Sequence, residues 1–392
     1  MDKASLGSSV LIAGMLIFAV AATSFAPAVA TAAADAPSTP SPEETRPRNR
    51  AEATQIMAEM RRILPPGGVE RLEKVRIGGI DQWVSIRGQD RRNPILLMIH
   101  GGPGYTTMPL SWYFQRGWEE YFTVVQWDQR GSGKTYTSND PAVVQPTLTL
   151  ERYIADTEEM ILWLRKEFRR DRIFVLGHSF GTYLGLTMAE RHPRWLYAYV
   201  GMAQITNSPE SERRGWRFAM DHAQAEHNEQ AIRDLQSLAP YAAPGKAPTL
   251  ENIMLQRKWL DYYGGAVAWR RDFAAESGAL RLAPEYTDAD LKSVGLGNEF
   301  TEKALLAQAL DVDFSNVTRL ECPIVLFSGR LDYNVNSEVG AEWLARLQAP
   351  SKRLVWFEHS AHEVMDEEPG KMLLSLVQYV RPFAGPVADS PH

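Results

Sequence analysis

Gly177-His178-Ser179-Phe180-Gly181 directly follows the apolar run Ile173-Phe-Val-Leu176 and directly precedes a stretch, Thr182 to Arg191, whose Leu184, Gly185 and Met188 share one helical face. A strand that ends in G-x-S-x-G and runs into a helix makes a turn so tight that its serine takes strained backbone angles and turns its hydroxyl outward. Glycine at both flanks fits that turn, because a β-carbon there would keep strand and helix apart. Ser179 would then stand at a helix N-terminus, where free N–H groups and the helix dipole favour an oxyanion. The chemistry implied is attack by an alcohol on an acyl group.

An unactivated serine is a weak nucleophile and needs an imidazole to take its proton and a carboxylate to orient that imidazole. Two later strand-like runs end in such groups. Pro323-Ile-Val-Leu-Phe-Ser328 leads to Gly329-Arg-Leu-Asp332, and Arg353-Leu-Val-Trp-Phe357 leads to Glu358-His-Ser-Ala-His362. The order Ser179, Asp332, His362 is that of the α/β-hydrolase arrangement. His359 competes as base, but Glu367-Glu368-Pro369 follows His362 at the spacing seen in hydrolases of this type. Asp311 and Asp313 compete as acids, but neither follows a clear strand. The expected oxyanion donors are the backbone N–H groups of Phe180 and of Gly102, in the glycine-rich loop His100-Gly-Gly-Pro-Gly104. His222 and His227, with Glu226, could suggest a metal, but i and i+5 fall on different sides of a helix, and neither a metal nor a cofactor is expected.

Around these positions the sequence predicts an α/β fold. Ile95-Leu-Leu-Met-Ile99 and Phe122-Thr-Val-Val-Gln-Trp127 are continuous apolar runs suited to strands covered on both faces. Thr149 to Phe168 is an amphipathic helix with acidic residues early and basic residues late, and Trp195 to Ala203 is a further strand. Strand and helix alternate as in a mostly parallel, doubly wound sheet, and Val69 to Arg87 opens it as an antiparallel hairpin. Asp128-Gln-Arg-Gly-Ser-Gly-Lys-Thr135 imitates a phosphate-binding loop, yet aspartate stands where that motif needs its first glycine, so a structured turn is expected. From 204 to 316 strand patterns cease, and residues 212–223, 231–238, 250–262 and 301–310 read as helices of an inserted cap. Its Trp216, Trp259, Tyr262, Tyr263 and Trp269 are expected mainly to pack cap on core. The core is assigned to 51–203 and 317–385.

The 392 residues carry 42 basic and 48 acidic side chains, a formal charge of -6, with no basic stripe. Nucleic acid is therefore not an expected partner. Residues 1–30 read as a signal peptide or N-terminal anchor: Lys3, then the apolar Val10 to Ala22, then Ala28-Val-Ala30. The run is short against the roughly 20 residues of a membrane span. An exported protein, periplasmic or secreted, is expected, with membrane contact only through an uncleaved segment. Residues 31–50, rich in Ala, Pro, Ser and charge, read as a disordered linker. The single cysteine, Cys322, precludes an internal disulfide and reads as a buried thiol.

His100-Gly-Gly-Pro-Gly104, Asp128-Gln-Arg-Gly-Ser-Gly133, Asp156-Thr-Glu158, the Ser179 pentapeptide, His192-Pro193 and Gly329-Arg-Leu-Asp332 together resemble the proline iminopeptidase branch of the α/β-hydrolase superfamily. The resemblance covers about Asn93 to Gly201 and Cys322 to Pro369. It implies release of an N-terminal residue, typically proline, through an acyl-enzyme. The branch carries Gly-Gly-Ser-Trp-Gly where this chain has His178 and Phe180, so another small residue is included in the expectation. Members of the branch bind the free amine with cap carboxylates, a role that would fall here to Glu210 and Glu212. The expected substrate is a small peptide or another small acyl compound. A carboxylesterase, lactonase or amidase would use the same triad, and a non-catalytic binding protein would not need it.

Overall fold

The computed structural model describes residues 46–386. The expected signal segment and residues 31–45 of the expected linker lie outside them. The linker's end does not follow the expectation. Asn49 caps the helix Arg50–Met60 through its side chain, and the Arg50 guanidinium donates to the carbonyls of Arg281, Ala283 (3.0 Å) and Tyr286 (2.5 Å). Those carbonyls lie more than 200 positions away, which no local composition reveals.

Eight strands form one sheet in the order β1-β2-β4-β3-β5-β6-β7-β8. The hairpin β1 (Val69–Ile77) and β2 (Ile80–Gly88) pairs antiparallel, and β2 pairs antiparallel with β4 (Thr123–Asp128). From β4 onward, through β3 (Ile95–Ile99), β5 (Ile173–His178), β6 (Leu196–Met202), β7 (Ile324–Gly329) and β8 (Lys352–Phe357), every pairing is parallel. The carboxyl ends of these strands therefore share one edge, where open α/β sheets place their sites.

The patterning explains the layers. β3, β4, β5 and β7 are buried at every residue, as runs of Val, Ile, Leu and Phe covered on both faces must be. Helices Leu150–Glu167 and Phe180–Arg191 cover one face, with Met160, Ile161, Leu164, Leu184 and Met188 wholly buried. The other face packs on Phe114, Trp118, Met365, Met372 and Leu376. Cys322 is buried.

Between β6 and β7 stand helices Ser208–Ala225, Glu229–Ser237, Leu250–Tyr262, Ala274–Leu280 and Asp288–Ala309. The last begins 13 residues before the sequence reading, which started it at Thr301. Trp216, Trp259, Tyr262 and Tyr263 do not bind cap to core. They surround Ala219, Met220, Ala223 and Leu235 in an apolar cluster internal to the inserted helices. The Asp128 to Thr135 segment is a structured turn. Asp128 accepts from the Lys134 N–H at 2.6 Å and from the hydroxyls of Thr106 and Tyr286, and the Thr135 hydroxyl donates to its carbonyl at 2.6 Å.

Candidate active site

Ser179 follows β5 with φ 51° and ψ -122°, a conformation costly for any residue with a β-carbon. Its surroundings hold it there. The Ser179 N–H donates to the Met202 carbonyl at 3.0 Å, and its carbonyl accepts from the Thr182 N–H at 2.8 Å and the Thr182 hydroxyl at 2.6 Å. The strand and helix meet as closely as the sequence implies: a β-carbon on Gly177 would lie 2.5 Å from the Gly181 carbonyl oxygen, and one on Gly181 would lie 2.0 Å from that of Ile99 in β3. The turn is thus fixed by backbone contact on both sides.

Asp332 and His362 reach the same edge from the loops after β7 and β8. Oδ2 of Asp332 stands 3.0 Å from Nδ1 of His362, while Oδ1 accepts the N–H groups of Asn334 (3.0 Å) and Val335 (2.9 Å). Asp332 is 1% exposed and His362 4%. Burial alone depresses the His362 imidazole, but the carboxylate against Nδ1 outweighs it and holds His362 above its ordinary value. Both loops are also stitched to the insertion, since the Tyr333 N–H donates to Gly265 and the His362 N–H to Ala266, each at 2.9 Å. Glu367 adds a third tie, accepting the N–H groups of Ala361 (2.8 Å) and Ala268.

Ser179, His362, Gly101, Gly102 and Phe180 line one cavity of about 370 Å³, a size suited to a small ligand. Ser179 Oγ makes no hydrogen bond among the described residues, His362 included; such contacts commonly tighten only when substrate binds. The N–H groups of Gly102 and Phe180 likewise have no partner among the described residues. Phe180 opens its helix, so its N–H has no intrahelical acceptor. Gly102, with φ 106°, belongs to a loop held from above: the Pro103 carbonyl accepts from Thr301 Oγ1 at 2.9 Å and from Asn298 Nδ2 at 3.0 Å, both on the long inserted helix.

His178, one residue before the serine, is buried, and its Nε2 stands 3.1 Å from the His362 carbonyl oxygen, to which it donates. Burial, reinforced by His362, pushes it down to about 3, so it stays neutral. His178, His362 and Glu363 bring donor atoms within 4.8 Å of one another, whereas His222 and Glu226 line a separate shallow cavity.

The other sequence candidates separate. Glu210 does not line the cavity. It is bound by Arg213 and Arg214, both at 2.8 Å, because the first turn of its helix sets it beside residues three and four positions on. Glu212 does line the cavity, but its carboxylate is taken by Arg257 and by the Tyr241 hydroxyl at 2.9 Å. Asp311 and Asp313 are exposed, with Asp313 capping the Ser315 N–H at 2.7 Å, and His359 is exposed. Sequence reasoning missed Tyr105, Arg257, Asp261, Glu302 and Glu363, all of which face the cavity. Only Glu363 had a local signal, its place immediately after His362.

The family model of the alpha/beta hydrolase fold matches residues 94–369. The chain belongs to that family, and its sequence relatives make it proline iminopeptidase-like within it, a hydrolase. It is 30% identical over 314 residues to "Probable aminopeptidase YbaC" of Bacillus subtilis, covering 79% of this chain and 96% of that one. Identity to a proline iminopeptidase of Saccharolobus solfataricus is 25% over 321 residues, covering 78% and 90%. In fold it resembles the crystal structure of a Mycobacterium smegmatis proline iminopeptidase (TM-score 0.53, 16% identity, 80% and 98% covered). It resembles equally a 2-hydroxy-6-oxo-6-phenylhexa-2,4-dienoate hydrolase of a Rhodococcus strain (TM-score 0.53, 18% identity, 80% and 99% covered).

Proposed function

We propose that the chain is a serine hydrolase working through an acyl-enzyme, and that it is an aminopeptidase releasing N-terminal proline or another small residue from peptides. The observation that carries the mechanism is the meeting, in one cavity, of the Ser179 hydroxyl, the Asp332-bound imidazole of His362 and the unpaired N–H groups of Gly102 and Phe180. In this reading Ser179 Oγ attacks the acyl carbon while His362 Nε2 takes its proton. The N–H groups of Gly102 and Phe180 hold the resulting oxyanion. His362 returns the proton to the leaving amine, then activates the water that cleaves the acyl-enzyme.

The names borne by the relatives at 30% and 25% identity support the aminopeptidase half of the reading. The test is turnover by the purified protein of unblocked prolyl and alanyl arylamides beside p-nitrophenyl esters of simple acids. Preference for the arylamides is the expected result. Turnover confined to the esters would replace the reading by a carboxylesterase or lactonase acting through the same residues. Export is proposed on Lys3 and the apolar Val10 to Ala22, and amino-terminal sequencing of the mature protein tests it.

A further inference from the structure

Four carboxylates face the cavity beside Ser179: Glu212, Asp261, Glu302 and Glu363. The first is spent on Arg257 and Tyr241, and the same part-buried guanidinium acts on Asp261 and Glu302. Glu363 differs. It is 8% exposed, accepts no hydrogen bond among the described residues, and its nearest basic group, His178 Nε2 at 3.9 Å, has already given its proton to the His362 carbonyl. Behind it stand two more buried carboxyl groups, and burial beside Glu363 and Glu276 raises Asp366 well above the usual carboxylate range, so Asp366 holds its proton. Both carboxylate oxygens of Asp366 and one of Glu276 are buried without a partner, and the other oxygen of Glu276 meets Arg270, half exposed, at 2.7 Å. A buried, unpaired carboxyl opening into a cavity tends to hold its proton until a cation arrives to pair with it, and then ionises.

We propose that Glu363 seats the free, protonated amino group of the substrate. The inference rests on the aminopeptidase reading and replaces Glu210 and Glu212 in the role the sequence suggested for them. Its chemistry is specific: a primary or secondary ammonium on the carbon that bears the acyl group, since Glu363 adjoins the base in the chain and the amine is two bonds from the carbon that Ser179 would attack. An N-acylated residue has no charge to offer and leaves the carboxylate unpaired.

The test is calorimetric titration in EDTA of the full chain carrying Ser179→Ala, which prevents turnover, with L-prolinamide and L-alaninamide and with their N-acetyl counterparts. The free amines are expected to bind at least about tenfold more tightly than the acetylated ones, and Glu363→Gln in the same background is expected to erase that difference. Equal affinity for both forms, no binding at millimolar concentration, binding that appears only with added zinc, or an undiminished preference in a folded Glu363→Gln protein would each overturn the proposal. Should that variant not fold, the comparison of free and acetylated amides on the Ser179→Ala protein decides alone. The two readings fail separately. Amine binding without arylamide turnover by the unsubstituted protein would sink the aminopeptidase reading and leave Glu363 standing, whereas arylamide turnover that survives Glu363→Gln unchanged would sink only the assignment of Glu363.

Discussion

Nδ1 of His362 stands 3.0 Å from Oδ2 of Asp332, and the second oxygen of that carboxylate is held by two backbone N–H groups. The carboxylate therefore cannot turn away, and the proton on the imidazole is directed to Nδ1. This leaves Nε2 as the nitrogen able to accept a proton.

A pH dependence follows with a definite sign. A base must be neutral, and Asp332 holds His362 above its ordinary 6.5, so kcat/KM is expected to fall as pH drops through a value above 6.5. Burial also pushes Glu363 up to about 7, so the observed step belongs to both groups and sharpens to one in Glu363→Gln. Asp332→Asn is expected to lower kcat by roughly 10³ to 10⁴ and to move the histidine step to lower pH. An active Asp332→Asn protein with an unshifted profile contradicts the assignment.

The strained turn makes a different prediction for Ser179. Ser179→Ala removes the hydroxyl but not the φ of 51°, so it should lower kcat by several orders of magnitude while leaving the melting temperature near that of the parent. Gly181→Ala does the reverse test. Its new methyl meets the Ile99 carbonyl, and a loss of about 1 to 3 kcal/mol in denaturant unfolding is expected.

The two glutamates on the Ser208–Ala225 helix should behave unequally. Glu212→Gln breaks an ion pair whose carboxylate is buried and whose Arg257 guanidinium is only one-fifth exposed, and is expected to cost about 3 kcal/mol. Glu210→Gln breaks pairs that are about one-third exposed and should cost under about 1 kcal/mol. Urea unfolding of the two variants measures the difference, and equal costs contradict it.

The clamp on the Pro103 carbonyl predicts a kinetic effect from the inserted helix. Thr301→Val with Asn298→Ala frees the loop that carries Gly102, and kcat should fall more than KM rises, because an oxyanion donor acts in the transition state. A change confined to KM would count against a role for that loop in holding the oxyanion.

Much of this architecture was legible in the sequence because local pattern and global position agree. β3, β4, β5 and β7 are built on apolar runs, and each is followed by the polar or glycine-rich residues of the site edge, so the parallel sheet and the placing of Ser179, Asp332 and His362 on it could be read off. The inserted helices were less legible. Gly295, Gly297 and Asn298 interrupt the helical pattern of 288–309, yet the helix continues through them because it packs on the turn before Gly133. A β-carbon on Gly297 would lie 2.7 Å from the Gly131 carbonyl. Tertiary contact overrides propensity there. Glu210 and Glu212 differ only by which side of one helix faces Arg257, and Glu363 owes its isolation to His178 giving its proton to a carbonyl 184 positions away.

The account turns on Ser179 being the atom that attacks, and covalent labelling addresses this most directly. Treatment of the folded protein with a fluorophosphonate, followed by mass mapping, is predicted to give one adduct, on Ser179, formed at a rate that collapses in His362→Ala. An adduct on any other residue, or labelling of Ser179 at an undiminished rate without the His362 imidazole, would contradict it.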